Sequence, residues 1–251
     1  MPLLEICCYT LESALKAESA GADRIELCDN PAEGGTTPSL GTIQLAAERL
    51  SIPLMVIVRP RGGDFLYTQL EFESIRRDVL AIKKVEGVNG IVVGFLTADG
   101  RMDVERTREI VELAKPKLEV TFHRAFDMCR DPEEALEQLD GCGVQRILTS
   151  GGRNTAMEGA DRIAKLVRQA GDDVIIMPGS GVKDTNLKEL MTKTKAVEYH
   201  SSARCTESSK MQYTNPNIDM GRTTDSNEYQ IVTVNEATIR RMKMILQEKH
   251  T

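Results

Sequence analysis

Two Glu-x-Cys triplets, Glu5-Ile6-Cys7 and Glu26-Leu27-Cys28, sit in the first two apolar runs of the chain. Thiolates are soft donors that suit Cu(I), and carboxylates act as general acids or bases where their surroundings shift them. Arg59 and Arg61 close the third run, His123 follows the fifth and His200 the eighth. Two chemistries are open to such a set. Cys7 and Cys28 could bind Cu(I). Alternatively Glu5, Glu26, Arg59, Arg61, His123 and His200 could act on a small anionic substrate, with His123 or Glu26 as acid or base and Arg59 or Arg61 holding the anion. A third reading is a scaffold whose polar interior is only structural, with Arg59 bridging Glu5 and Glu26.

Three turns of small residues, the first two glycine-bearing, follow late apolar runs: Thr149-Ser150-Gly151-Gly152, Gly179-Ser180-Gly181-Val182 and His200-Ser201-Ser202-Ala203. Backbone N–H groups in such turns can hold a phosphate or carboxylate. Ser150, Gly151, Gly179, Ser180, Gly181, Ser201 and Ser202 are therefore the anion-binding candidates, although any tight turn favours glycine.

Other chemistries fit less well. A Schiff-base aldolase needs a lysine on a strand, and the apolar runs carry none. With three histidines in the chain and no His-x-His pair in the first run, a binuclear hydrolase centre is disfavoured.

These residues need a frame. Short runs at 3–8, 23–27, 54–58, 91–95, 118–122, 145–148, 173–177 and 196–199 read as strands, and amphipathic segments such as ESIRRDVLAIKKV and DRIAKLVRQAG lie between them. Alternating strands and helices imply parallel β-α-β units. Eight units in 251 residues suit one (β/α)₈ TIM barrel, whose functional sites lie at the carboxyl ends of the strands. A doubly wound open sheet is the alternative. The polar stretch at about 204–233 reads as a long loop insertion after strand eight.

Strand side chains alternate in direction. Leu4, Ile6, Ile25, Leu27, Val56, Val58, Val120, Phe122, Val197 and Tyr199 take the helix-facing side. That turns Glu5, Cys7, Glu26, Cys28, Arg59, His123 and His200 inward and leaves Cys8 with the helices. Cys7 and Cys28 then lie on neighbouring strands about 5 Å apart, close enough for two-coordinate Cu(I), although a buried free cysteine is also a common core residue. Cys129, Cys142 and Cys205 offer less, and only Cys205 falls near the mouth.

A formal charge of −6 and a pI near 5.3 argue against nucleic-acid binding, which needs a basic surface. The amino terminus lacks a secretory pattern and no run approaches a membrane span, so a cytoplasmic protein with six reduced cysteines is expected.

Seven blocks carry a wider resemblance: EIC at 5–7, GADRIELC at 21–28, EGGTTPSLG at 33–41, RPRGGDFLY at 59–67, VTFHRAFD at 120–127, RILTSG at 146–151 and HSSAR at 200–204. The chain resembles the CutC family, named for copper homeostasis. The resemblance implies a cytoplasmic (β/α)₈ barrel, usually a homo-oligomer, with proposed Cu(I) ligands that fall on Cys7 and Cys28. Cys8 stands where relatives often carry an aliphatic residue.

Overall fold

The computed structural model describes residues 1–218 and 228–248. Eight parallel strands form one sheet: β1 (Leu3–Cys8), β2 (Arg24–Leu27), β3 (Leu54–Ile57), β4 (Val88–Val93), β5 (Glu119–Phe122), β6 (Arg146–Thr149), β7 (Ile175–Pro178) and β8 (Glu198–Ser201). They are hydrogen-bonded in the order β7-β6-β5-β4-β3-β2-β1-β8, and β7 packs beside β8 to bring the sheet nearly to closure as a barrel.

Helices α1 (Leu11–Ser19), α2 (Leu40–Arg49), α3 (Gln69–Lys83), α4 (Val104–Ala114), α5 (Pro132–Cys142), α6 (Ala160–Ala170), α7 (Leu187–Thr194) and α8 (Glu236–Gln247) alternate with the strands. Side chains that accept the orphan N–H groups of the first turn fix where most of them start. Thr10, Ser39, Asp103, Asp131 and Asn235 do so, and Thr68 with Glu71 closes a capping box on α3.

Strand parity divides the interior in two. Leu4, Ile6, Cys8, Ile25, Leu27, Val56, Val58, Val120, Phe122 and Tyr199 pack in the core between strands and helices. Cys7, Cys28, Met55, Ile57 and Val92 form a small apolar cluster inside the barrel. Val197 departs from expectation. The eighth strand starts at Glu198, two residues later than expected, and Val197 is 59% exposed.

The stretch at 204–233 is not simply a loop. Its ends form β9 (Arg204–Ser208) and β10 (Gln230–Val234), an antiparallel ribbon that pairs Arg204 with Val234 and Ser208 with Gln230. The β-branched run Ile231-Val232-Thr233-Val234 supplies the strand character. Residues 219–227 of the expected insertion lie outside the described residues.

Candidate functional site at the carboxyl ends of the strands

At the amino-terminal ends of the strands the barrel is filled by paired charged side chains. Arg24 pairs with both Glu5 and Glu198. Arg146 pairs with Glu198 at 2.8 Å and Glu119 at 2.9 Å. The expected Arg59 bridge between Glu5 and Glu26 is not formed; the bridge present joins Glu5 to Glu198 and is made by Arg24. Arg24 belongs to the same layer as Glu5, with which it is in register, whereas Arg59 follows β3 at the opposite end.

Above this layer a cavity of about 860 Å³ opens at the carboxyl ends, with Cys7, Glu26, Arg59, Phe65, His123 and His200 in its wall. Cys7 Sγ and Cys28 Sγ stand 3.6 Å apart, well beyond the roughly 2.05 Å of a disulfide. Because β8 pairs with β1, Glu5 and His200 are in register, and His200 Nδ1 lies 2.8 Å from Glu5 Oε1. The other ring nitrogen faces Glu26 Oε2 at 3.7 Å. One ligand atom each from Cys7, Glu26 and His200 falls within a 4.8 Å group.

The electrostatics follow from these contacts. The hydrogen bond from Cys28 holds the Cys7 thiol well below its ordinary value against the opposing effect of burial, and His200 adds to the lowering. Burial pushes the Cys28 thiol up, as does the adjacent Cys7. Glu26 is raised by burial and by Cys7. Burial opposes charge on His200, yet its bonds to Cys7 and Glu5 raise it well above the usual imidazole range. Burial alone would raise Glu5, but Arg24 and His200 bring it down to about 2. These contacts favour negative charge on Cys7 and positive charge on His200, and disfavour charge on Glu26 and Cys28.

Around this centre the chain matches the CutC family model over residues 2–205. The chain belongs to the CutC family. A CutC family protein of Mesorhizobium japonicum is 49% identical over 91% of this chain and 88% of its own length. The human protein named copper homeostasis protein cutC homolog is 43% identical over 97% of this chain and 88% of its own length. The crystal structure of CutC from Streptococcus agalactiae superposes with a TM-score of 0.76 at 34% identity, covering 80% of this chain and 99% of that one. Phosphoribosylanthranilate isomerase of Thermotoga maritima, at 12% identity and a TM-score of 0.59 over 98% of this chain and 99% of that one, shares the barrel fold alone.

Within this CutC barrel the remaining candidates separate. Arg59 is buried and donates from Nη1 to Glu33 O at 2.6 Å and Gly35 O at 2.9 Å, and from Nη2 to Gly63 O at 2.9 Å. Arg61 does not join the cavity wall. It is bound into its own loop by Glu71 at 2.6 Å and Asp64 at 3.1 Å. His123 accepts the Ala125 N–H on Nδ1 at 3.1 Å, and burial and the Arg59 charge lower it to about 3, leaving a neutral ring. Two glycines make room for the imidazoles. A Cβ on Gly94 would stand 2.4 Å from the His123 ring, and one on Gly179 would meet Leu148 at 2.4 Å and His200 at 3.3 Å.

The anion candidates divide likewise. The first turn already has a resident carboxylate, because Asp127 accepts the N–H groups of Ser150 and Gly152 and the hydroxyls of Thr149 and Ser150. Gly151 N–H donates to Thr149 Oγ1. Ser150 and Gly151 therefore have no backbone donor left for a ligand. Gly179 N–H is taken by Thr149 O, while Ser180, Gly181, Ser201 and Ser202 line the cavity.

Sequence reasoning missed Arg24, Arg146 and Glu198, and also Tyr9 and Phe65 in the cavity wall. Cys8 and Cys142 are buried on the helix side, and Cys129 and Cys205 are half-buried away from the thiol pair. Among the described residues no helix is long and apolar enough to cross a membrane.

Proposed function

We propose that this CutC protein takes up Cu(I) as cargo through Cys7 and Cys28. The observation that carries this reading is the 3.6 Å approach of two free thiols in the cavity region. Two soft donors satisfy Cu(I), whereas Zn(II) normally wants four ligands. His200, which lies with Cys7 and Glu26 in one 4.8 Å group, is a third donor once it gives up its proton, and Glu26 is a harder and less suitable one. Free thiols this close fit a reducing compartment such as the cytoplasm.

The decisive experiment is anaerobic Cu(I) competition against a chelator of known affinity, on wild type and the Cys7→Ser, Cys28→Ser and Cys8→Ser variants, with folding checked in each. Cys7→Ser and Cys28→Ser should each weaken Cu(I) by more than about tenfold. Cys8→Ser should retain it, because that thiol packs against the helices. Equal affinity in all four proteins would overturn the reading.

A further inference from the structure

The cavity is far larger than a metal ion needs. At about 860 Å³ it falls in the roughly 300–1,000 Å³ range of small-molecule sites. Its thiol centre belongs to β1 and β2, and on the side that follows β3 and β5 a different set of groups faces it.

Arg59 and His123 flank the Phe65 ring there. The guanidinium carbon is 5.1 Å from the ring centroid, and the imidazole centroid is 4.9 Å from it. Both polar residues are buried, at 6% and 5% exposure, yet Arg59 Nε and His123 Nε2 have no hydrogen-bond partner. Buried polar atoms rarely stay unpaired. Tyr67 Oη, against the same guanidinium, is unpaired too. An Arg59–Tyr67 bond would settle two of the three, but it would leave His123 Nε2 without an acceptor and the guanidinium without an anion.

The absent anion distinguishes Arg59 from the other buried arginines. Arg24 and Arg146 each hold two carboxylates. Arg59 has only neutral carbonyls, and no carboxylate lies within 4.0 Å of it among the described residues. The His123 tautomer is set by geometry. Nδ1 accepts the Ala125 N–H, so a neutral ring carries its proton on Nε2. The corner therefore presents a fixed positive charge and a neutral donor, with an aromatic face between them.

We propose that Arg59, Phe65 and His123 form a binding corner for the carboxylate of a small organic acid, with Phe65 covering its hydrocarbon part. One guanidinium balances one negative charge. A phosphate dianion would exceed that single charge within the corner, since the other cations of the wall, Arg124, Lys183 and Arg204, are not part of it. Ile57 and Leu148 in the same wall supply further apolar surface. The proposal does not depend on copper.

Three histidines in the chain make ¹⁵N-histidine labelling a direct probe. Metal-free protein is titrated with pyruvate, isobutyrate and inorganic phosphate while the ring nitrogens are followed by NMR. Both carboxylates should move His123 Nε2 saturably, in wild type and equally in the Cys7→Ser/Cys28→Ser double variant, so a failed copper site would leave this result standing. Arg59→Lys should weaken the carboxylates about tenfold, because a point charge loses the planar donor geometry. If that variant does not fold, Phe65→Ala takes its place and should weaken isobutyrate by a larger factor than pyruvate. No movement of His123, a response to phosphate alone, unchanged affinity in folded Arg59→Lys, or equal effects in Phe65→Ala would each overturn the corner.

Discussion

The two ends of the barrel interior use the same residue types to opposite ends. At the amino-terminal end, Arg24, Arg146, Glu5 and Glu198 are buried and close on one another, so that each charge meets an opposite charge. At the carboxyl end, Arg59 and His123 are equally buried but keep polar atoms without partners, and Cys7, Glu26 and His200 crowd around a space that opens to solvent. Burial alone does not mark a functional charge. What marks it is burial without internal compensation, because leaving a polar group unpaired costs stability that a purely structural layer has no reason to forgo.

The most damaging way to test this contrast is at the closed end. Arg24→Met leaves Glu5 and Glu198 buried with fewer counter-charges. Breaking a buried pair in this way costs about 3–5 kcal/mol, and urea unfolding should show that loss. A loss below about 1 kcal/mol would mean that the lower network is as adaptable as the mouth, and the comparison would fall.

A smaller effect is expected at the open end from Gly94→Ala. The added Cβ would lie 2.4 Å from His123 Cε1 and Nδ1 and 2.8 Å from Ala125 Cβ. Overpacking of this kind costs about 1–3 kcal/mol. The ring must move, so its bond with the Ala125 N–H should be lost, and the His123 nitrogen resonances report that directly. Unchanged resonances together with full stability would show that the ring is not held where the corner requires it.

The parity of the strands was legible from residue types, and that was enough to turn Cys7, Glu26, Cys28, His123 and His200 toward one another. Arg24 shares its parity with Glu26, and Glu198 shares its parity with His200, so both inward positions followed from the same alternation. Height along the barrel axis did not. Which arginine meets Glu5 depends on inter-strand register, and register arises from packing between strands far apart in sequence. The proximity of His200 to Cys7 likewise needed barrel closure, which brings β8 beside β1. In the polar segment after β8, the turn-rich composition concealed a ribbon that only the pairing of β9 with β10 makes visible. Asp127 in the Ser150 turn shows a further limit. A glycine turn looks the same in sequence whether its N–H groups await a ligand or hold a side chain from another loop.

The finest test of the contrast is the pH dependence of stability carried by His123. Burial and the Arg59 charge lower its folded value to about 3 from 6.5. Between those values the unfolded chain binds a proton at this residue that the folded protein refuses, so stability falls as pH falls from 6.5 toward 3, by about 1 kcal/mol per pH unit in the middle of the window. Wild type alone will not show this cleanly. Glu26, raised by burial and Cys7, keeps its proton in the folded state and gives the opposite slope above its ordinary value of 4.5. The comparison is therefore wild type against His123→Asn, with unfolding free energies measured at pH 5 and pH 6. The asparagine carbonyl can accept the Ala125 N–H in place of Nδ1 and does not titrate. Wild type should lose about 1 kcal/mol more than the variant on going from pH 6 to pH 5. Equal changes in the two proteins would mean that His123 takes up its proton in the folded state. A protonated ring cannot accept the Ala125 N–H on Nδ1, so the neutral donor that distinguishes the open end would be lost.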